Sequence, residues 1–269
     1  MSKGKRHYEF GKNWLEYSKL IDTARLDQVS SDLVRLLNIK NLNGKKVLDI
    51  GCGSGVHEIG FYMLGCRNLT AIDYDQNSII ATKLTLAKFC PESDFKVLRG
   101  DILSEESISL GKFDIVYSWG VLHHTGNLVE AIRNASSLVA DKGHLAIALY
   151  RKTMMCGLWK FEKRIYSKLP KLLQVIVELI YISFFSLALL ITKRVFIFHY
   201  IRDYSSKRGM SYLTDVRDWL GGYPYESISP NELRKFMTSL GFYQIYSLEG
   251  KKSIGLFGSG CDEFLFQKN

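Results

Sequence analysis

Three glycines follow a carboxylate directly after a short apolar run near the start of the chain. The segment 47–55 reads VLDIGCGSG, so Gly51, Gly53 and Gly55 alternate with other residues, and Asp49 stands two residues before the first glycine. Glycine has no Cβ, which lets a ligand approach the backbone, and the helix that follows offers unpaired N–H groups. A nicotinamide-cofactor site has the spacing GxGxxG instead, and a carboxylate suits a cationic ligand group better than a pyrophosphate. The segment predicts a ligand-binding turn, with a plain strand-to-helix turn as the alternative.

Two more carboxylates follow the next two apolar runs. Asp73 ends the run 69–73, where a carboxylate can accept two hydrogen bonds from ribose hydroxyls. Asp101 follows the run 95–99, where it can accept a hydrogen bond from an exocyclic amine. Either residue alone is typical of a helix cap or a turn. Together with Asp49 they follow three successive strands, at the edge where open α/β sheets bind ligands, and the set predicts a nucleoside site there.

Strands that alternate with helices are needed to bring these residues together. The predicted strands are short and almost continuously apolar, which is typical of a parallel sheet covered by helices on both faces. The first forty residues carry apolar side chains at helical spacing. The predicted strands span 46–50, 69–73, 95–99, 113–117, 144–149, 242–248 and 262–267, and the later helices span 56–65, 76–89, 127–140 and 230–240. The sequence therefore predicts an α/β fold.

The order of these motifs resembles that of the class I S-adenosylmethionine-dependent methyltransferases. VLDIGCGSG is similar to their first motif, AIDYD to the second, GDI to the third and FDIVYSWGVLHH to the fourth. The resemblance covers residues 40–150 and 213–269. It implies a Rossmann-like fold with a seven-stranded sheet whose last strand is antiparallel, helices on both faces and S-adenosyl-L-methionine as co-substrate.

The resemblance also assigns roles to individual residues. Asp49 and the three glycines would frame the methionine moiety, Asp73 would hold the ribose, and Trp119 would lie near the cofactor. Asp101 and Ile102 would flank the adenine. The cofactor-binding residues implied in this way are Asp49, Gly51, Gly53, Gly55, Asp73, Tyr74, Asp101, Ile102 and Trp119.

The residues around the fourth motif resemble the small-molecule branch that includes the ubiquinone-type O-methyltransferases. Those enzymes carry two glutamates and a histidine there as metal ligands, whereas this chain has Gly120, His123 and His124 at the matching positions. No metal is therefore predicted. The runs 208–211 and 221–226 are also similar to a group of bacterial proteins often found among cell-surface polysaccharide genes.

His123 and His124 are the predicted catalytic residues. A sulfonium is already an activated methyl donor, so the protein has only to position the acceptor and to take up its proton. A neutral imidazole can do this for a hydroxyl group, which favours an O-directed reaction. Neighbouring residues on a helix point about 100° apart, so we expect one of the two rings to face the pocket. Tyr223 and Tyr225 are candidates for the acceptor site, and a cap or packing role is the alternative for all four residues.

The excess positive charge of the chain lies in one segment. Residues 151–212 carry the whole net charge of +9, because they hold twelve Lys or Arg and three Asp or Glu. Within that segment, residues 172–192 contain Glu178 as their single charged residue and are long enough to cross a bilayer of about 30 Å. A crossing would separate residues 213–269 from the first five strands. We therefore expect a helical insertion that lies on a membrane surface or caps the ligand-binding edge.

The charge pattern also bears on the acceptor. Basic residues bracket the apolar stretch, as in a segment that rests on an anionic leaflet, rather than following a groove as expected for nucleic acid. This favours an amphiphilic acceptor such as a lipid-linked saccharide or a prenylated lipid, and no nucleic-acid partner. A lid over a soluble small-molecule substrate and a homodimer interface are the alternatives for the insertion.

These observations together predict four segments. They are an N-terminal helical lid at 1–40, a cofactor-binding domain at 41–150, a basic hydrophobic insertion at 151–212 and the remainder of the Rossmann-like domain at 213–269. The five cysteines include no CxxC pair, and the polar, basic N-terminus does not resemble a signal peptide, so we expect a cytoplasmic protein that is peripheral at the inner face of the membrane. A non-catalytic, cofactor-binding partner subunit and an RNA methyltransferase are the alternative functions.

Overall fold

The computed structural model describes residues 10–202, 204, 211–251, 253–256 and 258–269. They form a seven-stranded sheet with the order β3-β2-β1-β4-β5-β7-β6. The first five strands are parallel, and β7 is antiparallel to both of its neighbours. The strands are β1 Lys46–Ile50, β2 Asn68–Asp73, β3 Lys96–Arg99, β4 Phe113–Trp119, β5 Val139–Tyr150, β6 Phe242–Leu248 and β7 Cys261–Lys268. The predicted Rossmann-like fold with an antiparallel last strand is confirmed.

Helices precede, connect and follow these strands. Those before β5 are α1 Gly11–Ser18, α2 Thr23–Leu37, α3 Val56–Met63, α4 Gln76–Phe89, α5 Glu105–Ile108 and α6 Leu128–Ser137, with a 3₁₀ turn at Leu122–His124. Those after β5 are α7 Cys156–Tyr166, α8 Lys171–Lys193, α9 Ile197–Arg202, α10 Tyr212–Gly221 and α11 Pro230–Ser239.

The sheet is covered on both faces. One apolar cluster joins the sheet to α6 and α11, and a second joins its other face to α2, α3 and α4. Alternate residues of a strand contribute to different clusters, as Val47 and Leu48 of β1 do, because side chains along a strand point to opposite faces. The continuous apolar character of the strands follows from this double burial.

Two boundaries differ most from the sequence-based expectations. The N-terminal helical region is broken at 19–22, where the Asp22 side chain accepts a hydrogen bond from the N–H of Arg25 and caps α2. Strand β5 begins at Val139, five residues before the predicted start, because its first residues continue the pairing with β4. Residues 1–9 of the predicted lid and 208–210 of the polysaccharide-associated run lie outside the described residues.

Candidate active site

A cleft of about 1460 Å³ opens along the carboxyl ends of β1, β2 and β4. Sites for one drug-sized molecule occupy roughly 300–1,000 Å³, so the cleft has room for more than one ligand. Nine of the predicted site residues line it, namely Gly51, Gly53, Asp73, Tyr74, Asp101, Ile102, Trp119, His123 and His124. Asp49, Gly55, Tyr223 and Tyr225 are not among the lining residues.

The turn between β1 and α3 brings bare backbone into this cleft. Gly51 and Gly53 have φ angles of 88° and 55°, in the left-handed region that favours glycine. A Cβ on Gly51 would lie 2.3 Å from Cγ2 of Val121, and a Cβ on Gly53 would lie 3.2 Å from the ring of Trp14. Neither glycine can therefore be replaced without displacing a neighbouring side chain. The packing of Val121 and Trp14 against the turn thus requires glycine at both positions.

Asp73 is fixed at the end of β2 by backbone donors. Its Oδ2 accepts a hydrogen bond of 3.0 Å from the N–H of Gly53, and its Oδ1 accepts one of 2.8 Å from the N–H of Asp75. Burial raises the pKa of the Asp73 carboxyl to about 6, against the opposing effect of the two N–H groups. A carboxylate held in this orientation at the rim of a cleft can accept hydrogen bonds from ligand hydroxyls.

The residues after β2, β3 and β4 complete this half of the cleft. Tyr74 is 51% exposed, and Ile102 is buried. Asp101 accepts a hydrogen bond of 2.9 Å from the N–H of Leu103, which closes the turn after β3. Trp119 is oriented by its indole N–H, which donates to Glu263 of β7 over 2.9 Å. The side chains thus combine an apolar surface with acceptor oxygens, as a nucleoside requires.

Asp49 lies behind the glycine turn and not in the cleft. It is 1% exposed, and Glu58 beside it is fully buried. Burial raises the pKa of both carboxyls, and the charge of Asp49 raises that of Glu58 further. Because two adjacent buried carboxyls do not both ionise, the pair holds a proton at neutral pH. Sequence reasoning missed Glu58, whose signal is an acidic residue in the first turn of α3.

Both predicted histidines line the cleft, which corrects the expectation that one would face away. They lie in a 3₁₀ turn and not in an α-helix, and their ring centres are 4.5 Å apart. Nδ1 of His124 is 2.8 Å from the carbonyl oxygen of Pro224, so Nδ1 carries the proton of the neutral ring and Nε2 is its accepting nitrogen. Nδ1 of buried His123 accepts a hydrogen bond from the N–H of Tyr150, which gives that ring the opposite tautomer. Burial lowers the pKa of His123, so it stays neutral.

The tyrosines predicted for the acceptor site have different surroundings. Tyr225 is buried, and its hydroxyl bonds to Sγ of Cys156 over 3.3 Å and to Oγ of Ser259 over 3.1 Å. Its ring packs 5.3 Å from that of Tyr150, which does line the cleft. Tyr223 is half-buried. Tyr225 thus supports the wall of the cleft from behind.

The other half of the cleft is aromatic, and most of its residues come from the insertion, for which capping of the ligand-binding edge was one of the two expectations. The aromatic residues that line this half are Phe10, Tyr150, Tyr181, Phe185, Tyr200, Tyr204, Tyr212 and Trp219. Within the apolar stretch, Tyr181 and Phe185 stand four residues apart, and this spacing is the one sequence signal that they share a face.

Asp218 is a charged residue of this aromatic half that sequence reasoning also missed. Its carboxyl lines the cleft and accepts a hydrogen bond from the side chain of Asn13 on α1. Burial raises the pKa of Asp218 to about 7. No pattern in α10 distinguishes it from Asp215, so only the tertiary structure identifies it.

Metal ligands are not grouped in this site. Among the residues that the structure describes, no set of three or more His, Cys, Asp or Glu side chains is placed to hold a metal ion. The positions that carry metal ligands in the ubiquinone-type enzymes hold Gly120, His123 and His124, and the two histidines are bonded to backbone groups as described above.

The fold and the cleft define an α/β protein with a large cleft at the carboxyl edge of its sheet. A family model described as a methyltransferase domain matches residues 22–242, and the chain belongs to this family. It is thus a class I S-adenosylmethionine-dependent methyltransferase by family, as its motifs predict, and the co-substrate of the family is S-adenosylmethionine.

Curated relatives match part of the chain. The ubiquinone biosynthesis O-methyltransferase of Pelagibacter ubique is 25% identical over 134 residues, which cover 48% of this chain and 54% of that protein. The enzyme of the same name from Dechloromonas aromatica is 31% identical over 108 residues, which cover 40% of this chain and 45% of that protein. The chain spans about half the length of the curated relatives it matches.

Solved structures show the same fold over most of the chain. Magnesium protoporphyrin IX methyltransferase (ChlM) from Synechocystis PCC 6803 with bound SAH has a TM-score of 0.55 at 16% identity, covering 93% of this chain and 86% of that chain. N-methyltransferase NodS from Bradyrhizobium japonicum WM9 in complex with S-adenosyl-L-homocysteine has a TM-score of 0.51 at 15% identity, covering 95% of this chain and 98% of that chain.

Proposed function

We propose that this chain transfers the methyl group of S-adenosylmethionine to a hydroxyl oxygen of an amphiphilic acceptor. The observation that carries the proposal is the continuity of the cleft. The glycine turn, Asp73 and Asp101 lie in the same cavity as His124 and the aromatic half. A donor site and an acceptor site are thus joined without an intervening wall.

The first half of the cleft fits the co-substrate. Gly51 and Gly53 line this half with backbone, Asp73 has oriented acceptor oxygens suited to a ribose, and Asp101, Ile102 and Trp119 have surfaces and acceptors suited to a base. When bound, S-adenosylmethionine supplies an already activated methyl group. The protein's own contribution is therefore positioning and the handling of one proton.

His124 is the residue suited to accept that proton. The carbonyl of Pro224 holds the proton of the neutral ring on Nδ1, which leaves Nε2 as the nitrogen that accepts. The opposite tautomer of His123 makes its Nε2 a donor, so that nitrogen does not accept a proton. His123 is instead bonded to the backbone N–H of Tyr150 in the wall of the site. A hydroxyl must lose its proton as it attacks, whereas an amine can attack through its lone pair, so a base at this position favours an O-directed reaction.

The aromatic half favours an acceptor with an apolar part. Tyr181 and Phe185 of α8, Tyr200 of α9 and Tyr212 of α10 line it, together with Trp219. Flat apolar rings with polar edges suit a lipid-linked saccharide or a prenylated lipid. Such acceptors are held in membranes, which supports a cytoplasmic protein at the inner face of the membrane.

Transfer of a labelled methyl group tests the proposal. The chain is incubated with methyl-labelled S-adenosylmethionine and a bacterial lipid extract, and label in the organic phase is counted. His124→Gln is expected to lower the initial rate by about 10²–10⁴-fold, the contribution of a general base. His144→Gln is the matched control, because His144 lies on β5 and is not among the lining residues.

Other outcomes would contradict parts of the proposal. Transfer by His124→Gln at the wild-type rate would contradict the assignment of the base. Label in RNA and not in lipid would favour a nucleic-acid acceptor. Binding of S-adenosylhomocysteine without transfer to any fraction would favour a non-catalytic partner subunit.

A further inference from the structure

Helix α8 presents two opposite stripes, because residues three or four apart share a helix face. The inner stripe packs against the domain or lines the cleft, and consists of Val177, Glu178, Tyr181, Ile182, Phe185 and Leu189. The outer stripe is between 45% and 75% exposed, and consists of Leu172, Ile176, Ile180, Phe184, Leu187 and Ile191.

A helix that is apolar on all sides is normally covered on all sides. Among the described residues, α8 alone is long and apolar enough to span a membrane by length and composition, yet 11% of its apolar window is buried in the fold. Its neighbours add to the uncovered surface, with Phe161 of α7 exposed to 63% and Phe198 of α9 to 80%. More of the outer surface of this insertion is apolar than a soluble protein usually leaves open.

The charge at the two ends of α8 indicates what covers its outer stripe. Exposed Lys168 and Lys171 stand at the start of α8, and exposed Lys193 and Arg194 stand at its end. The segment 151–212 carries a net charge of +9, while the rest of the chain is neutral. A second copy of the chain on the same face would bring two such segments together, which their mutual repulsion opposes. An anionic surface matches both the apolar stripe and its basic ends.

We propose that the outer stripe of α8 docks in the plane of an anionic phospholipid bilayer. The inner stripe ties the helix to the domain, because Glu178 accepts hydrogen bonds of 2.8 Å from the Tyr166 hydroxyl and 3.1 Å from Nε of Arg217 on α10. The strands on either side of the insertion, β5 and β7, pair with each other in one sheet. The helix therefore lies along the membrane surface and does not cross it.

Docking in this orientation also bears on the acceptor, and this step rests on the proposed function. Tyr181 and Phe185 line the cleft while Phe184 and Ile191 on the same helix face outward. One helix thus forms both the wall of the acceptor site and the surface that contacts lipid. An amphiphilic acceptor can enter the aromatic half of the cleft from the membrane without passing through bulk water.

Vesicle flotation tests docking without using activity, so its failure is distinguishable from failure of the proposed function. Vesicles of phosphatidylcholine and phosphatidylglycerol in equal parts are compared with vesicles of phosphatidylcholine alone, and partition coefficients are obtained by lipid titration. The wild type is expected to float with the anionic vesicles. The double variant Phe184→Gln/Ile191→Gln is expected to lower the partition coefficient by about tenfold for each residue.

Two further variants make the test specific. Met63→Gln/Leu84→Gln changes exposed apolar residues on α3 and α4 and is expected to leave the partition coefficient unchanged. Replacing Lys168, Lys171, Lys193 and Arg194 with Gln is expected to lower binding to anionic vesicles by about fivefold for each residue. Circular dichroism verifies that the variants fold.

Three results would overturn the inference. They are a wild type that does not float with anionic vesicles, a Phe184→Gln/Ile191→Gln variant that floats as the wild type does, and equal partitioning into both kinds of vesicle. A wild-type dimer that this variant converts to a monomer, with no flotation of either, would assign the face to self-association instead.

Discussion

At the scale of single residues, hydrogen-bond partners decide what each titratable group of the cleft can do. Two backbone N–H groups orient the carboxylate of Asp73 at the rim. The carbonyl of Pro224 makes Nε2 of His124 an acceptor, while the N–H of Tyr150 gives the adjacent His123 the opposite tautomer. The two neighbouring histidines thus present different nitrogens as acceptors, and this difference is the reason that we propose His124 as the base.

The buried pair of Asp49 and Glu58 predicts a pH-dependent stability. Burial raises the pKa of Asp49 from 3.8 to about 7, so the folded chain holds a proton that the unfolded chain has lost. The stability that this proton contributes is fully present below the pKa of Asp49 in the unfolded chain. It is lost as the pH rises through the pKa of Asp49 in the folded chain, so the free energy of unfolding falls between these two pH values. We expect Asp49→Asn to reduce that fall by up to about 1.4 kcal/mol per pH unit, measured by urea unfolding at about pH 5 and about pH 7.

The control for this measurement is Asp27→Asn, because Asp27 is exposed on α2. It is expected to retain the wild-type dependence on pH. An Asp49→Asn variant with the wild-type dependence would contradict the retention of a proton by Asp49 itself.

At the scale of elements, α1 and the helices after β5 close the cleft from two sides. The N–H of Gly11 donates to Asp75 over 2.9 Å, and the side chain of Asn13 donates to Asp218 of α10. Trp14 lies against Gly53 between these two attachments. Helix α1 thus links the half of the cleft that fits the nucleoside to the aromatic half.

The attachment of α8 depends on one buried carboxylate. Glu178→Ala removes the carboxylate that accepts hydrogen bonds from the buried Tyr166 hydroxyl and from Arg217, and the loss of these bonds costs about 1–3 kcal/mol. We expect amide hydrogen exchange in α8 to become about 5-fold to 100-fold faster, which is the same energy expressed as a rate.

Glu130→Ala serves as the matched control, because Glu130 pairs with Arg133 on the exposed face of α6. An exposed pair of this kind is worth about 0.5 kcal/mol or less. Equal exchange rates in α8 of the wild type and Glu178→Ala would show that the helix is held by its apolar contacts alone.

At the scale of the whole molecule, a parallel sheet positions the cleft and one segment carries the excess charge. The strands were predictable, because burial on both faces requires continuous apolar runs such as 145–149. The start of β5 at Val139 was not predictable, because exposed Asp141 and Lys142 interrupt the apolar pattern of this strand.

The lining of the cleft by Gly51, Gly53, Asp73 and Asp101 was likewise predictable, since these residues follow consecutive strands. The residues of the aromatic half were not predictable, because Tyr181 and Asp218 reach the cleft through the packing of helices far apart in the sequence. The tautomers of the histidines depend on Tyr150 and Pro224, which no local pattern connects with them.

Calorimetric titration with S-adenosylhomocysteine tests the central claim most directly. We predict binding of one molecule per chain, and a loss of affinity of about tenfold or more in Gly53→Ala, where a Cβ would lie 3.2 Å from the ring of Trp14. Gly44→Ala is the control, because Gly44 also has a positive φ, of 73°, but no atom within 4 Å of the added Cβ. Absence of binding by the wild type at millimolar concentration, or equal affinity in Gly53→Ala, would contradict the assignment of this cleft to the methyl donor.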